Sequence, residues 1–315
     1  MRSTRGAFSA HRTENAPSAA RVALATCSAL PDGWPDDHSL SAALTAAGAE
    51  PSFVVWDEPT VDWDSYELVL IRSTWDYTEK RDAFLGWAEH VGDRLRNRPA
   101  LIRWNSDKRY LADLEAAGLQ VVPTRFVEPG ADPPPLDGEV VIKPVVSAGA
   151  RDTGRFGHAA RLAAEALLRR LASQGRTAMV QPYLASVDEE GETAIVFFGG
   201  SESHVLRKRA VLRPDEEAPV RREGIAAAEV MFDEDLVGGG EATQEERATA
   251  AGILDWVAAR FEAPLYARVD LVPGADGRPV LLELEAVEPH FYLHTSQGAA
   301  ARLAEAVLDD LRALG

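Results

Sequence analysis

The sequence contains a single cysteine, Cys27, among its 315 residues. One cysteine excludes an intramolecular disulfide and any metal site built from several thiolates. No apolar run approaches the roughly 20 residues that a membrane-spanning helix requires. The apolar central stretch of a secretion signal is also missing from the first residues. We therefore expect a soluble protein of a reducing compartment, and the localisation that fits is cytoplasmic.

Basic residues are few compared with acidic ones. The chain has 33 Lys and Arg against 50 Asp and Glu, which gives a formal net charge of −17. Such a charge repels nucleic acid and anionic lipid at long range. We therefore expect no nucleic-acid or membrane partner, although a small polyanion can still bind where several cations converge. The substrates should be small molecules, and the sequence leaves open a homodimer.

Residues 1–20 are rich in Arg, Ser and Ala and carry one acid, Glu14. A segment this polar buries too little apolar surface to offset the entropy lost on ordering, so we predict a disordered extension. The rest of the chain, at 46% hydrophobic residues overall, is long enough for two or three packed units.

Short apolar runs alternate with amphipathic stretches from Arg21 onward, which predicts an α/β unit of Rossmann-like type over residues 21–100. A second unit, residues 101–184, begins with a predicted helix at 106–118 that contains Lys108. Strands, a glycine-bearing loop at 147–157 and an amphipathic helix follow. The third unit, residues 185–315, carries two antiparallel hairpins and two long helices. The predicted fold is thus α/β with α+β parts.

A late hairpin, RVDLVPGADGRPVLLELE, carries the strongest chemical pattern. Side chains alternate along a strand, so Glu283 and Glu285 share a face that Asp270 can join from the neighbouring strand. Three converging carboxylates repel one another unless a cation lies between them, and Mg²⁺ prefers such oxygen ligands. Arg268, on the face of Asp270, adds a group suited to phosphate. The alternative is an ordinary solvated strand face.

Two separated lysines form the second pattern. Lys143 ends an apolar run, where its ammonium group needs an anionic partner, and Lys108 is either a second phosphate ligand or a surface lysine. Small residues at 147–150 would let backbone N–H groups approach phosphate oxygens. Neither the Walker spacing nor the dinucleotide GxGxxG spacing occurs in the sequence.

The order of these segments resembles the ATP-grasp ligases. Seven short segments occur in the order typical of that superfamily, over about residues 100–295. They are NSDKRYL, VVIKP, the small-residue loop, VQPYL, the Gly-Glu pair at 191–192, RVD and ELE. VVWDEP, IRSTWDY and the FLGWA helix resemble ATP-grasp proteins of D-cycloserine-type antibiotic biosynthesis. The resemblance implies an N-terminal Rossmann-like domain, a central lid at 101–184 and a C-terminal catalytic subdomain with an antiparallel sheet.

The resemblance also implies a set of site residues. Asp270, Glu283 and Glu285 match the metal ligands, although the commonest family pattern ends in Glu-x-Asn where this chain has Glu283-Leu284-Glu285. Glu189 is our choice for the ribose, with Asp188 and Glu190 as close rivals. Catalytic cations would be Lys208, Arg209 and Arg268. The remaining nucleotide-binding positions are Lys108, Lys143, Ser147, Gly149, Gln181, Pro182, Tyr183, Leu184 and Glu192.

The implied cofactors are ATP and two Mg²⁺ ions, with Mn²⁺ as a substitute. The implied reaction makes a C–N bond through an acyl phosphate of a small amino-acid-like substrate in antibiotic biosynthesis. A cyclo-ligase acting within one O-ureido-serine-like molecule and a non-catalytic nucleotide-binding regulator are the alternatives. Because open α/β sheets bind ligands at the carboxyl ends of their strands, substrate contacts are expected from two segments. These contacts are Ser73, Thr74, Trp75, Asp76, Tyr77, Glu288, His290 and Tyr292.

Overall fold

The computed structural model describes residues 19–217, 220–221, 227–228 and 235–314. The predicted disordered extension, residues 1–20, lies outside the described residues except for its last two positions. One parallel and two larger antiparallel sheets make up the fold, which confirms the predicted mixed α/β class. In the described part, every helix is too short or too polar to cross a lipid bilayer.

The N-terminal sheet is parallel and has the strand order β2-β1-β3-β4. Helices α1 and α2 belong to the same unit. Strand β3 is buried along its whole length, which explains why its sequence is a continuous apolar run rather than an alternating one. The elements are β1 Arg21–Thr26, α1 Asp37–Ala46, β2 Glu50–Val55, β3 Leu68–Ser73, α2 Arg81–Val91 and β4 Leu95–Arg96.

The middle sheet is antiparallel and is covered by one amphipathic helix, α5, whose leucines pack on its strands. Two short helices, α3 and α4, precede the strands of this sheet in the chain, and one short helix, α6, follows them. The elements are α3 Pro99–Asn105, α4 Tyr110–Ala116, β5 Arg125–Val127, β6 Val140–Pro144, β7 Gly154–Phe156, α5 Arg161–Ser173, β8 Ala178–Pro182 and α6 Ser186–Glu190.

Two expectations for this unit were wrong. The helix predicted at 106–118 begins only at Tyr110, because the backbone N–H of Lys108 donates to Val145 O at 2.8 Å instead of entering a helical turn. Lys108 therefore lies in a turn held against the end of β6. The loop predicted at 147–157 contains strand β7, which is short enough to escape a test for alternation.

The C-terminal sheet has the order β14-β10-β9-β15-β16. Its first hairpin turns at Gly199 and Gly200, whose φ angles of 55° and 78° favour glycine. Strand β11 extends the middle sheet beside β7, and β12 pairs with β13. The elements are β9 Glu192–Phe198, β10 Ser201–Lys208, β11 Glu216–Glu217, β12 Val220–Arg221, β13 Ala227–Ala228, β14 Val237–Gly239, α7 Gln244–Phe261, β15 Tyr266–Pro273, β16 Pro279–Glu285 and α8 Ala299–Leu314.

Buried side chains join the N-terminal unit to the C-terminal sheet. The Asn97 amide donates to Tyr266 O at 2.9 Å and Ala286 O at 2.7 Å, and it accepts from Leu265 N at 2.7 Å. The Tyr266 hydroxyl lies 2.8 Å from Arg96 O. Polar groups that would otherwise be buried without partners are thereby satisfied, and the two units pack as one body.

Strand β16 is the outer strand of the C-terminal sheet, and its outward edge is paired by the backbone of residues 120–122 at Leu281 and by side chains further along. Asn105 donates to Leu284 O at 2.9 Å and accepts from Ala286 N at 2.7 Å. The Tyr110 hydroxyl accepts from Leu284 N at 2.8 Å. An edge strand with its backbone groups paired in this way has a fixed register. The positions of the acidic residues on β16 are therefore fixed as well.

We predict that Asn105→Ala lowers the free energy of unfolding by about 2–6 kcal/mol, because two buried backbone groups lose their partners at about 1–3 kcal/mol each. Urea denaturation followed by circular dichroism measures the change. Gln120→Ala is the matched control, since this amide side chain is exposed, and it should change stability by less than about 0.5 kcal/mol. Equal stability of the two variants would contradict the edge-pairing account.

Candidate active site

A cavity of about 280 Å³ lies where the three sheets meet, and it collects most of the residues that the sequence singled out. It is lined from the N-terminal unit, from both hairpins of the C-terminal sheet and from the glycine-bearing loop. The predicted residues that line it are Trp75, Tyr77, Lys108, Lys143, Ser147, Gly149, Gln181, Pro182, Tyr183, Leu184, Glu192, Lys208, Arg268, Asp270, Glu283, Glu285, Glu288 and His290.

The acidic hairpin has the predicted register. Asp270 is paired with Glu283, and Arg268 with Glu285. A bulge at Asp270 inserts Leu282 between the paired positions, so Leu282 also lines the cavity. The predicted strict alternation of acidic and apolar residues is therefore broken at Leu282, while Leu284 is buried in the core as expected.

The carboxylate of Asp270 is held between two cations. It accepts from Arg268 Nε at 2.8 Å and from Lys208 Nζ at 2.8 Å, and all three side chains are buried. Lys208 also lies 2.8 Å from Glu192, and Arg268 also binds Glu285. These groups compensate one another's charge in an interior where an unpaired charge would be costly.

Glu283 forms a second group with the two predicted lysines. Its Oε1 lies 3.1 Å from Lys108 Nζ, and its Oε2 lies 3.4 Å from Lys143 Nζ. Lys108 also donates to the backbone oxygen of Ser147 at 2.8 Å. Although Lys108 and Lys143 are 35 positions apart in the chain, Glu283 places both ammonium groups at the same point of the cavity.

The local fields lower the pKa of two of these acids. Burial raises the pKa of Asp270, but the charges of Arg268 and Lys208 more than reverse this effect and leave it well below its usual range. Burial also raises the pKa of Glu283, and here Lys108 and Lys143 reverse it. Both carboxylates are therefore ionised at neutral pH.

Two neighbouring acids are shifted in the other direction. Burial raises the pKa of Glu285, and the charges of Asp270 and Glu283 add to the effect beyond what Arg268 offsets. Burial raises the pKa of Glu288 to about 8, with a further contribution from Glu285. The cavity therefore holds more acid groups than its cations can keep ionised, and an added cation would ionise the remainder.

The glycine-bearing loop has an unusual backbone. Gly149, Ala150 and Asp152 have φ angles of 60°, 54° and 53°. Left-handed conformations are rare for residues other than glycine and persist where surrounding contacts hold them. Arg151 supplies such contacts, because it donates to Thr78 Oγ1 at 2.8 Å and also binds Glu79. The loop is thereby tied across the cavity to the N-terminal unit.

Strand β8 and the turn after it form the wall predicted to contact the nucleotide base. Gln181 is buried and donates to Thr124 Oγ1 at 2.9 Å, while Arg155 stacks over the Tyr183 ring at 3.5 Å. Glu189 does not line the cavity, because helix α6 turns it outward, and Val187 lines the wall instead. The rival Asp188 accepts from the Tyr183 hydroxyl at 2.7 Å.

Three predicted substrate residues and one predicted cation do not line the cavity. Ser73 is buried and donates to Asp37 at 2.5 Å, and Thr74 is fully buried. Asp76 accepts from Trp56 Nε1 at 2.9 Å. Arg209 comes directly after Lys208, the last residue of β10, and its side chain is exposed and does not line the cavity.

Sequence reasoning missed Trp34, which lines the cavity beside Trp75, His290 and Tyr292. Trp34 follows β1 at the same edge of the parallel sheet at which residues 74–77 follow β3. The rule that directed attention to residues 73–77 would therefore have found Trp34 as well. Tyr292 stacks on His290 with a centroid distance of 3.8 Å. Burial lowers the pKa of His290, whose Nε2 lies 3.6 Å from Asp36.

Comparisons with known proteins agree on one family. Residues 22–97 match the family model of the N-terminal domain of D-cycloserine synthetase DcsG. The cycloserine biosynthesis protein DcsG of Streptomyces lavendulae is 36% identical over 296 residues, which cover 88% of this chain and 95% of that protein. The crystal structure of D-cycloserine synthetase DcsG superposes with a TM-score of 0.81 at 35% identity, covering 92% of this chain and 99% of the other.

A more distant structure shares the fold. The RimK-domain ATP-grasp protein of Sphaerobacter thermophilus DSM 20745 has a TM-score of 0.61 at 18% identity, with 91% of this chain and 99% of the other covered. The extent of the match to the DcsG protein and the arrangement of the described sheets lead to the same conclusion. The chain belongs to the DcsG family of ATP-grasp enzymes and is an ATP-dependent carboxylate–amine ligase.

Proposed function

We propose that the enzyme transfers the γ-phosphoryl group of ATP to the carboxylate of a small amino-acid-like substrate and joins the resulting acyl phosphate to a nitrogen nucleophile. The observation that carries this proposal is the convergence of Lys108, Lys143, Lys208 and Arg268 with four paired acids in one cavity. Such an arrangement offsets the repulsion between a triphosphate and a carboxylate, which is the main barrier to their reaction.

The phosphate groups of ATP would lie at Lys108 and Lys143, where both ammonium groups already face one anion, Glu283. Ser147 and Gly149 line the cavity and Lys108 binds the Ser147 carbonyl, so the backbone N–H groups of this loop would be suited to phosphate oxygens. Strand β8 and its following turn would hold the base. This assignment rests on the resemblance to ATP-grasp ligases, and it is supported because Gln181, Pro182, Tyr183 and Leu184 all line the cavity.

Asp270, Glu283 and Glu285 have the hard oxygen donors that Mg²⁺ prefers, and their register on β15 and β16 places them together. In the described part, no group of three or more acids, histidines or cysteines is arranged round a common ion position, because each of these acids faces a basic side chain. The oxygen donors of these acids fit Mg²⁺. To bind the ion, each acid would have to replace its contact with a lysine or arginine by a contact with the metal. Bound Mg²⁺ would neutralise phosphate charge.

The chemical steps balance without a protein nucleophile. A carboxylate oxygen of the substrate attacks the γ-phosphorus, and ADP leaves. The nitrogen then attacks the acyl carbon, phosphate leaves, and the nitrogen loses a proton to solvent or to a neighbouring base. Arg268, which is buried and rigidly held, is placed to stabilise the oxyanion that forms at the acyl carbon. The loop held by Arg151 would keep water from the acyl phosphate.

The intramolecular reaction is the second candidate, in which the nitrogen belongs to the same molecule as the carboxylate. The similarity to D-cycloserine synthetase over 92% of this chain favours it, because cyclisation of an O-ureido-serine-like substrate would give a product of that class. In either case we propose a role in the biosynthesis of a specialised metabolite such as an antibiotic.

We predict that hydroxylamine traps the intermediate as a hydroxamate when the enzyme is incubated with ATP, Mg²⁺ and O-ureido-serine, because an acyl phosphate reacts with hydroxylamine. The ferric hydroxamate colour and ADP release measure the reaction. Glu283→Gln should lower both by about 100-fold or more, since it removes a charge that positions both lysines. Glu305→Gln, an exposed substitution on α8, should leave both unchanged. ADP release without hydroxamate at any hydroxylamine concentration would contradict an acyl phosphate.

For the choice between the two candidates, mass spectrometry of products formed without hydroxylamine is decisive. Intramolecular attack predicts a product that derives from one substrate molecule and whose amount is unaffected by added amines. Intermolecular attack predicts a mass that increases by that of the added amine less water. Formation of the second type alone, across a panel of amino acids, would exclude the cyclo-ligase.

A further inference from the structure

Part of the cavity wall is formed by aromatic rings, in the same cavity as the ion pairs of Asp270 and Glu283. Trp34 and Trp75 pack edge to face with a centroid distance of 5.3 Å, and His290 lies 5.9 Å from Trp34 and 3.8 Å from Tyr292. The rings come from three separate segments, which follow β1, β3 and β16. Aromatic faces carry partial negative charge and attract ammonium groups.

The backbone around this wall is held tightly. Tyr292 has φ 51° and ψ 49°, a left-handed conformation that is rare for a residue with a side chain. The Tyr292–His290 stack and the hydrogen bond from Trp75 Nε1 to Glu288 O, 3.2 Å long, hold the segment in place. Strain of this kind is typical of segments whose shape serves a ligand.

Glu288 lines the same wall and differs from the other acids of the cavity. Glu192, Asp270, Glu283 and Glu285 each have a lysine or arginine within 4 Å. Glu288 forms no ion pair with any residue in the described ranges. Lys108 influences it only from a longer distance, because its ammonium group is bound to Glu283 and to the Ser147 carbonyl. A carboxylate in this environment lacks a cation that the substrate can supply.

On the basis of the ligase function proposed above, we infer that Glu288 and the rings of Trp34, Trp75 and Tyr292 bind the ammonium group of the amino-acid substrate whose carboxylate is activated. The neighbouring cations Arg268 and Lys208 would repel an ammonium group and attract a carboxylate. The charge pattern therefore orients the substrate, with its carboxylate towards the cations and its ammonium group towards Glu288.

This orientation restricts the nucleophile. An ammonium group beside a carboxylate stays protonated and has no lone pair with which to attack the acyl phosphate. The attacking nitrogen must therefore be a different one that is uncharged at neutral pH, either in the same molecule or in a second substrate. The substrate class is an α-ammonium carboxylate whose ammonium group takes no part in bond formation.

The test compares two ligands that differ only in the ammonium group. Calorimetric titration measures the dissociation constants of both enantiomers of O-ureido-serine and of the des-amino counterpart, 3-(ureidooxy)propanoate, with Mg²⁺ and ADP present. The enzyme should bind one enantiomer about 10- to 100-fold more tightly than the des-amino ligand, the range expected for a hydrogen bond between charged groups. In Glu288→Gln the affinities for the two ligands should differ by no more than about 3-fold. This remaining preference for the ammonium ligand would come from its contact with the aromatic rings.

The des-amino ligand is also the folding control, since its affinity should be the same in the wild type, Glu288→Gln and Glu305→Gln. Equal affinity of the wild type for both ligands would overturn the inference. So would the absence of binding by any of these probes, or an equal loss of affinity for both ligands in Glu288→Gln. Hydroxamate formation on the same probes tests the proposed function separately, because the binding preference does not depend on turnover.

Discussion

Charge compensation inside the cavity is the constraint on which the rest of the site depends. Asp270 is buried and Glu283 half-buried on the paired strands β15 and β16, and both are kept ionised by four cations from four different segments, Lys108, Lys143, Lys208 and Arg268. None of these charges would be stable there alone, because desolvation costs several kcal/mol per ion. The same four cations are the groups that a triphosphate would need. The residues whose charges compensate one another in the cavity are therefore the residues that a polyanion would rearrange.

The fold serves this cluster through the outer edge of the C-terminal sheet. Because Asn105 and Tyr110 bind the backbone of β16 on one side and β15 pairs on the other, the acids cannot shift in register. Asn105 and Tyr110 both lie close to Lys108 in the chain. The turn that delivers the lysine and the strand that delivers its partner acid are thus parts of one hydrogen-bonded assembly.

The sequence predicted the elements whose patterns are long or regular. Both hairpins, helix α7 and the parallel strands were identified from alternation, glycine turns and capping residues, and the conjunction of Lys108, Lys143 and the acidic hairpin indicated the cavity. What it could not give depends on tertiary contacts. The turn at Lys108 is set by Val145, the bulge at Leu282 by pairing along β15, and the outward position of Glu189 by a single turn of helix α6. Trp34 was missed because the segment after β3 was considered as a substrate contact and the segment after the neighbouring strand β1 was not.

The most direct test of the central claim is a calorimetric titration of the enzyme with a non-hydrolysable ATP analogue in the presence and absence of Mg²⁺. If the paired acids and bases form the triphosphate site, Mg²⁺ should tighten binding by about 10-fold or more. Glu283→Gln should abolish this dependence on the metal, since it removes the carboxylate shared by Lys108 and Lys143. Equal affinity with and without Mg²⁺ in the wild type, or an unchanged dependence in Glu283→Gln, would contradict the account.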